Sequence, residues 1–151
     1  MAEILIAGEI YIDPANRAAC LEAGKVYQQG TRNDEPGCID YVFSADPLRD
    51  NVMVVFERWA DAASLELHFQ HENYFKMRET FAKHGITGAT VAKYRVGATD
   101  SVYVDGVATA TFPDERLRRS KGPRFRTLFT SGDTRQNVSD DSGAGFSKAS
   151  S

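Results

Sequence analysis

Two stretches limit what this chain can become. "ILIAGEIYI" (Ile4–Ile12) and "VMVVF" (Val52–Phe56) place apolar side chains at both odd and even positions. Successive strand residues point to opposite faces, so neither face of these strands suits water. Strands of this kind are normally buried on both sides, and each face therefore needs its own cover.

The rest of the chain supplies one cover. After a strand over Glu3–Ile12, Asp13 and Pro14 form a helix start, with Asp at the N-cap and Pro at the first helical position. The spacing predicts a helix over Ala15–Gly30, with Ala19, Cys20, Ala23, Val26 and Tyr27 on one side. "RNDEPGC" reads as a loop, since Pro36-Gly37 ends a helix. A strand over Cys38–Ser44 alternates, with Ile39, Tyr41 and Phe43 on one face. "ADPLRDN" is a turn, and Val52–Trp59 is the third strand. Asp61 caps a helix from Ala62 to about Phe69, and a second helical piece carries Tyr74, Met77 and Phe81 and ends at Gly85. Thr87–Val96 is a fourth strand.

The order β-α-β-β-α-β is the ferredoxin-like α+β arrangement, with its helices on one face of an antiparallel sheet. The other face must be covered by a second copy of the sheet or by the chain's own C-terminal extension. A homodimer with sheets face to face is the simpler solution.

The 151 residues suffice for one domain with appendages. A ferredoxin-like domain is expected over 1–98. A hairpin or arm follows over 99–112, turning at Asp105-Gly106. A basic, Ser/Gly-rich tail spans 113–151, where sparse, aperiodic apolar residues predict disorder. Up to Phe112 there are 10 Lys+Arg against 16 Asp+Glu, and beyond it 8 against 5. An acidic domain gives no reason to expect a nucleic-acid partner. The start "MAEILIAGEIYI" lacks the basic region of a signal peptide and meets Glu9 early. No apolar run reaches membrane-spanning length. Cys20 and Cys38 have no metal-ligand spacing and read as free thiols, so the chain is expected in the cytoplasm.

Three segments carry chemistry: "EPGCIDY", "FERWADAASLELHF" and "VAKYRV". Together they resemble the antibiotic biosynthesis monooxygenase family, which includes quinol monooxygenases. The motif elements are Glu35-Pro36-Gly37-Cys38, then Glu57 and Trp59 two apart, then Asp61, then Ala63, Leu65 and His68, with Ser64 interrupting the Ala-Leu pair. The resemblance implies a dimeric α/β barrel with a pocket between helices and sheet in each subunit. It also implies oxidation of a small phenol or hydroquinone by O₂, with no metal and no other cofactor.

The residues themselves permit this. Glu57 and Trp59 share a strand face, and His68 lies one turn after Leu65 on the face that packs toward the sheet. His68, Glu57 and Trp59 are the candidate catalytic residues. Tyr41, Phe43, Asn73, Tyr74 and His71 are candidate substrate-binding residues, and Asn73 or Arg58 is placed to hold an oxyanion. A His near its ordinary pKa suits proton removal. Each residue also has a structural alternative. Glu57 can pair with an Arg such as Arg95, Trp59 can be a core plug, and His68 can bond a backbone carbonyl.

A metal held by His68 and His71 with an acidic neighbour lacks a firm third ligand. Haem degradation, known in relatives with an Asn in strand one and a late helical His, is disfavoured. Strand one has no Asn, and the late helix offers Arg78 with no His before His84. An isomerase on the same scaffold, or a non-catalytic binding module, remains the alternative to an oxygenase.

Overall fold

The computed structural model describes residues 2–112. The expected tail over 113–151 lies outside the described residues. Strand β1 (Ile4–Ile12) leads to helix α1 (Pro14–Asp34), then β2 (Cys38–Ala45) and β3 (Val52–Trp59). Helices α2 (Ala62–His68) and α3 (Glu72–Lys83) follow, then β4 (Ile86–Arg95) and a small hairpin of β5 (Tyr103–Val104) and β6 (Val107–Ala108). The main sheet has the order β2-β3-β1-β4, with every neighbouring pair antiparallel. The fold is ferredoxin-like α+β.

Local chemistry explains the elements. Asp13 accepts the Ala15 N–H at the start of α1, with Pro14 just inside it. Asp61 accepts both the Ser64 N–H and the Ser64 hydroxyl at the start of α2. Helix α1 runs four residues beyond the expected Gly30, to Asp34, so the first part of "RNDEPGC" is helical. Its buried positions Cys20, Gly24 and Thr31 continue the same face into the last turn. The helix stops at Glu35, whose N–H bonds the Thr31 carbonyl before Pro36. Gly37 then takes φ +81 and carries the chain into β2.

The core lies between helices and sheet. Ile4, Ile6, Ile10 and Ile12 from β1 meet Met53, Val55 and Trp59 from β3, Tyr41 from β2, Leu65 from α2, and Met77 and Phe81 from α3. Ile39 departs from the expected pattern and is 41% exposed. The pairing of β2 with β3 shifts between Cys38 and Asp40, so Cys38, and not Ile39, joins Tyr41 and Phe43 at the core. Gly8 marks a close approach of β1 to β4, since an added Cβ would lie 2.1 Å from the Thr90 carbonyl oxygen.

The opposite sheet face is less covered. Leu5, Ala7 and Val54 are half-buried there, while Phe56 is 40% and Tyr94 55% exposed. The segment after β4 returns to part of it: Phe112 joins Leu5, Phe56, Arg58 and Val96 around a cavity of about 360 Å³. The hairpin turns at Asp105-Gly106, both residues at positive φ, as that dipeptide favours. Among the described residues no helix is long and apolar enough to cross a membrane.

Candidate functional site

The register of the sheet sets the floor of the site. On β3, Glu57 stands between Ile6 of β1 and Tyr41 of β2, and Trp59 between Ile4 and Cys38. Strand alternation turns Glu57 and Trp59 to the helix side and Arg58 to the other. Glu57 and Trp59 are both buried, and the Trp59 indole Nε1–H donates to Glu57 Oε2 at 3.0 Å. Arg58 pairs instead with Glu3 and Asp40 on the outer face, which removes it as an oxyanion holder in this hollow. The alternative pairing of Glu57 with an Arg is replaced by the indole bond.

His68 sits above this floor at the end of α2 and is 2% exposed. Its ring centroid lies 4.6 Å from Trp59, at 36° between planes, 5.1 Å from Tyr41 and 5.2 Å from Tyr74. Phe69 closes the ring at 5.9 Å. These are direct contact distances for aromatic pairs. No further ring fits between them, so the expected open pocket is filled with side chains. Phe43 stands one step away, edge-on to Tyr41 and against Phe81.

A residue not counted among the candidates completes the site. Glu35, buried at the end of α1, places Oε2 2.6 Å from His68 Nδ1. A carboxylate only accepts, so Nδ1 carries the proton and Nε2 keeps its lone pair. Asn73 Nδ2 donates to Glu35 Oε1 at 3.1 Å, so Asn73 positions Glu35. His71 Nδ1 also lies 3.1 Å from Oε1, but it already accepts the Asn73 backbone N–H as the N-cap of α3. With that lone pair committed to the helix, His71 is a cap and does not donate to Glu35. Thr31, one turn before Glu35, is buried, and its hydroxyl finds no partner among the described residues.

Electrostatics follow from burial and from two carboxyls close together. Desolvation pushes the Glu57 carboxyl up to about 7, with Glu35 adding to the rise and the Trp59 indole opposing it. Desolvation, then Glu35 and Glu57, raise Cys38 to about 11, and burial with the same two acids raises Tyr41 well above its ordinary value. Burial lowers His68, while its bond to Glu35 opposes the fall. Both cysteines are free thiols. Among the described residues no group of three His, Cys, Asp or Glu side chains is arranged to hold a metal.

The signal that could have found Glu35 is the buried face of α1. Its spacing runs through Cys20, Gly24 and Thr31, and one further turn reaches Glu35. The Pro36-Gly37 pair directs attention to the loop and hides that continuation.

A family model described as antibiotic biosynthesis monooxygenase matches residues 4–80, about half of the chain. The chain belongs to the antibiotic biosynthesis monooxygenase family. It is similar to the uncharacterised protein sll1783 of Synechocystis, 31% identical over 103 residues, which span 66% of this chain and 67% of the relative. A Deinococcus radiodurans protein assigned as an antibiotic biosynthesis monooxygenase superposes with TM-score 0.60 at 17% identity, over 67% of this chain and 99% of its own. Rv0793 of Mycobacterium tuberculosis superposes at 0.53 and 21% identity, over 67% of this chain and 99% of its own. At such identities the structural likeness speaks for the fold alone.

Proposed function

We propose that this family member is a cofactor-independent monooxygenase that oxidises a small phenol or hydroquinone with O₂ in the hollow around His68. The observation that carries it is the 2.6 Å contact between His68 Nδ1 and Glu35. It leaves Nε2 as a base in an aromatic surround. Burial keeps His68 neutral to lower pH than an ordinary histidine, so the base form is present at neutral pH. As His68 takes the hydroxyl proton, Glu35 stabilises the imidazolium that forms. The remaining anion is then flanked by Tyr41, Trp59 and Tyr74, whose flat apolar walls suit an aromatic substrate.

Access requires Phe69 and Tyr74, both carried by the α2–α3 corner, to part from the sheet rings. Closure again behind the substrate excludes water from the anion. The half-exposed outer sheet face, with Phe56 and Tyr94, is the surface through which two copies pair. The test is anaerobic mixing with a panel of hydroquinones, then admission of O₂. Rapid O₂ consumption that His68→Gln abolishes is expected. Equal consumption by both proteins would end this assignment.

One observation favours a non-catalytic dimeric module instead, namely the ring contacts that fill the hollow. A ligand that binds only the folded state raises its melting temperature. A hydroquinone that shifts the wild type but not a Tyr74→Ala, Trp59→Ala double variant supports the site. No shift with any aromatic ligand supports the module.

A further inference from the structure

We propose that Glu57 works as a carboxylic acid, the proton donor that complements the base His68, and so is a second catalytic residue of the oxygenase function proposed above, on which this role rests. The geometry of the cluster points to it. Glu57 is buried on β3, and among the described residues its carboxyl's one hydrogen bond comes from the Trp59 indole to Oε2. An indole N–H only donates, so Oε2 is engaged as an acceptor and an acidic proton belongs on Oε1. No Lys or Arg faces Glu57 from the elements packed around it. Beside it on β1 is Ile6, and on β2 are Tyr41 and Cys38. From the helices come Glu35 at the end of α1, His68 on α2 and Tyr74 on α3. The nearest cation in register is Lys93, paired with Ile6 two strands away, about 10 Å, and exposed.

A buried carboxyl with no cation and a second carboxyl nearby favours its neutral form, and desolvation accordingly lifts Glu57 to about 7. It thereby differs in its partners from Glu35, which is bonded by the His68 ring N–H and the Asn73 amide. Two carboxyls in one hollow thus take different roles because of their partners.

The proton ledger closes with these two residues and O₂. His68 takes the phenolic proton, leaving an anion with electron density on a ring carbon that still bears hydrogen. That carbon attacks O₂, forming a C–O bond; the carbon is oxidised and O₂ is reduced to a peroxide. Glu57 protonates the terminal peroxide oxygen and becomes a carboxylate. It then removes the hydrogen on the same carbon as a proton, and the C–H electron pair forms the carbonyl while the O–O bond breaks. The departing hydroxide takes the proton held by His68, giving water, a quinone and both residues in their starting forms.

The test combines spectroscopy with turnover on the full-length protein. In pH-difference infrared spectra, wild type should show a protonated-carboxyl C=O band that disappears with a midpoint near 7, and Glu57→Gln should lack it. Trp59→Phe, which removes the indole donor, should move that midpoint upward. Glu57→Gln preserves shape and the indole's acceptor, so it should fold as wild type by circular dichroism. Its kcat with a hydroquinone should fall about a hundredfold with little change in KM, and it should release hydrogen peroxide. Absence of the band overturns the acid role. So does a Glu57→Gln variant that retains wild-type kcat, which leaves the oxygenase assignment standing. If wild type itself consumes no O₂, the oxygenase assignment fails and the donor role with it, while the infrared band still reports the protonation of Glu57.

Discussion

Glu35 and His68 are 33 positions apart in sequence and 2.6 Å apart in space. One ends the long helix α1, the other ends the short helix α2, and both are buried. Their contact ties the helical layer together directly above the Trp59 indole. Glu35→Ala would strand the His68 ring N–H and the Asn73 amide in a dry site. Leaving such groups unpaired costs about 2–4 kcal/mol. A loss of unfolding free energy of that size, read from urea titration, is expected. A change below about 0.5 kcal/mol, the ordinary range for surface substitutions, would show that the pair is not coupled to folding.

The two buried titratable groups pull stability in opposite directions with pH. Glu57 rises from its ordinary 4.5 to about 7 in the folded state, so the fold holds its proton more tightly than the unfolded chain. Its contribution is fully present below 4.5 and is lost as pH rises through about 7. That loss amounts to about 3 kcal/mol. His68 is lowered by burial, so its contribution is present above the ordinary histidine range and erodes as pH falls. Unfolding curves of Glu57→Gln should therefore lose the decline that sets in as pH rises from 4.5 to about 7 and keep the loss on acidification that belongs to His68. An unchanged decline over that interval would place its origin elsewhere.

Gly37 tests how the "EPG" turn positions the site. Its φ is +81, and an added Cβ would lie 2.1 Å from the Ser64 hydroxyl oxygen. Gly37→Ala should destabilise by about 1–3 kcal/mol, combining backbone strain with the clash. Adding Ser64→Gly should recover the steric part and leave the strain. A double-mutant cycle with no coupling would contradict that division.

Phe56, 40% exposed on the outer face between Ala7 of β1 and Val42 of β2, tests the pairing of copies. A carboxylate there would be buried by a face-to-face partner. Phe56→Glu should shift sedimentation from dimer to monomer without altering the far-ultraviolet spectrum. A wild type that sediments as a monomer at every concentration would remove the second copy as the cover.

Strand and helix order were legible because each element carries its own local signal. Asp13-Pro14 and Asp61 cap helices with short-range hydrogen bonds, and Asp105-Gly106 makes a turn by itself. That Glu57 and Trp59 share one face followed from strand alternation, while their selection rested on the family resemblance. What stayed hidden depends on register and on contacts distant in sequence. The shift between Cys38 and Asp40 turned Ile39 outward, which no periodicity discloses. Glu35 was read as part of a loop because Pro36 sits beside it, although the helix reaches Asp34. The filling of the hollow by Tyr41, Trp59, Tyr74 and Phe69 depends on ring orientations that only packing decides.

Glu35 also serves as the cap of α1, its N–H bonded to the Thr31 carbonyl at 3.3 Å and its own carbonyl accepting the Cys38 N–H at 3.2 Å. Helix termini fray at far lower free energy than cores unfold. Each time this terminus unravels, the imidazole loses the carboxyl that orients it while the sheet beneath stays intact. Warming should therefore silence turnover several degrees before the protein melts, a gap that a tighter last turn would close.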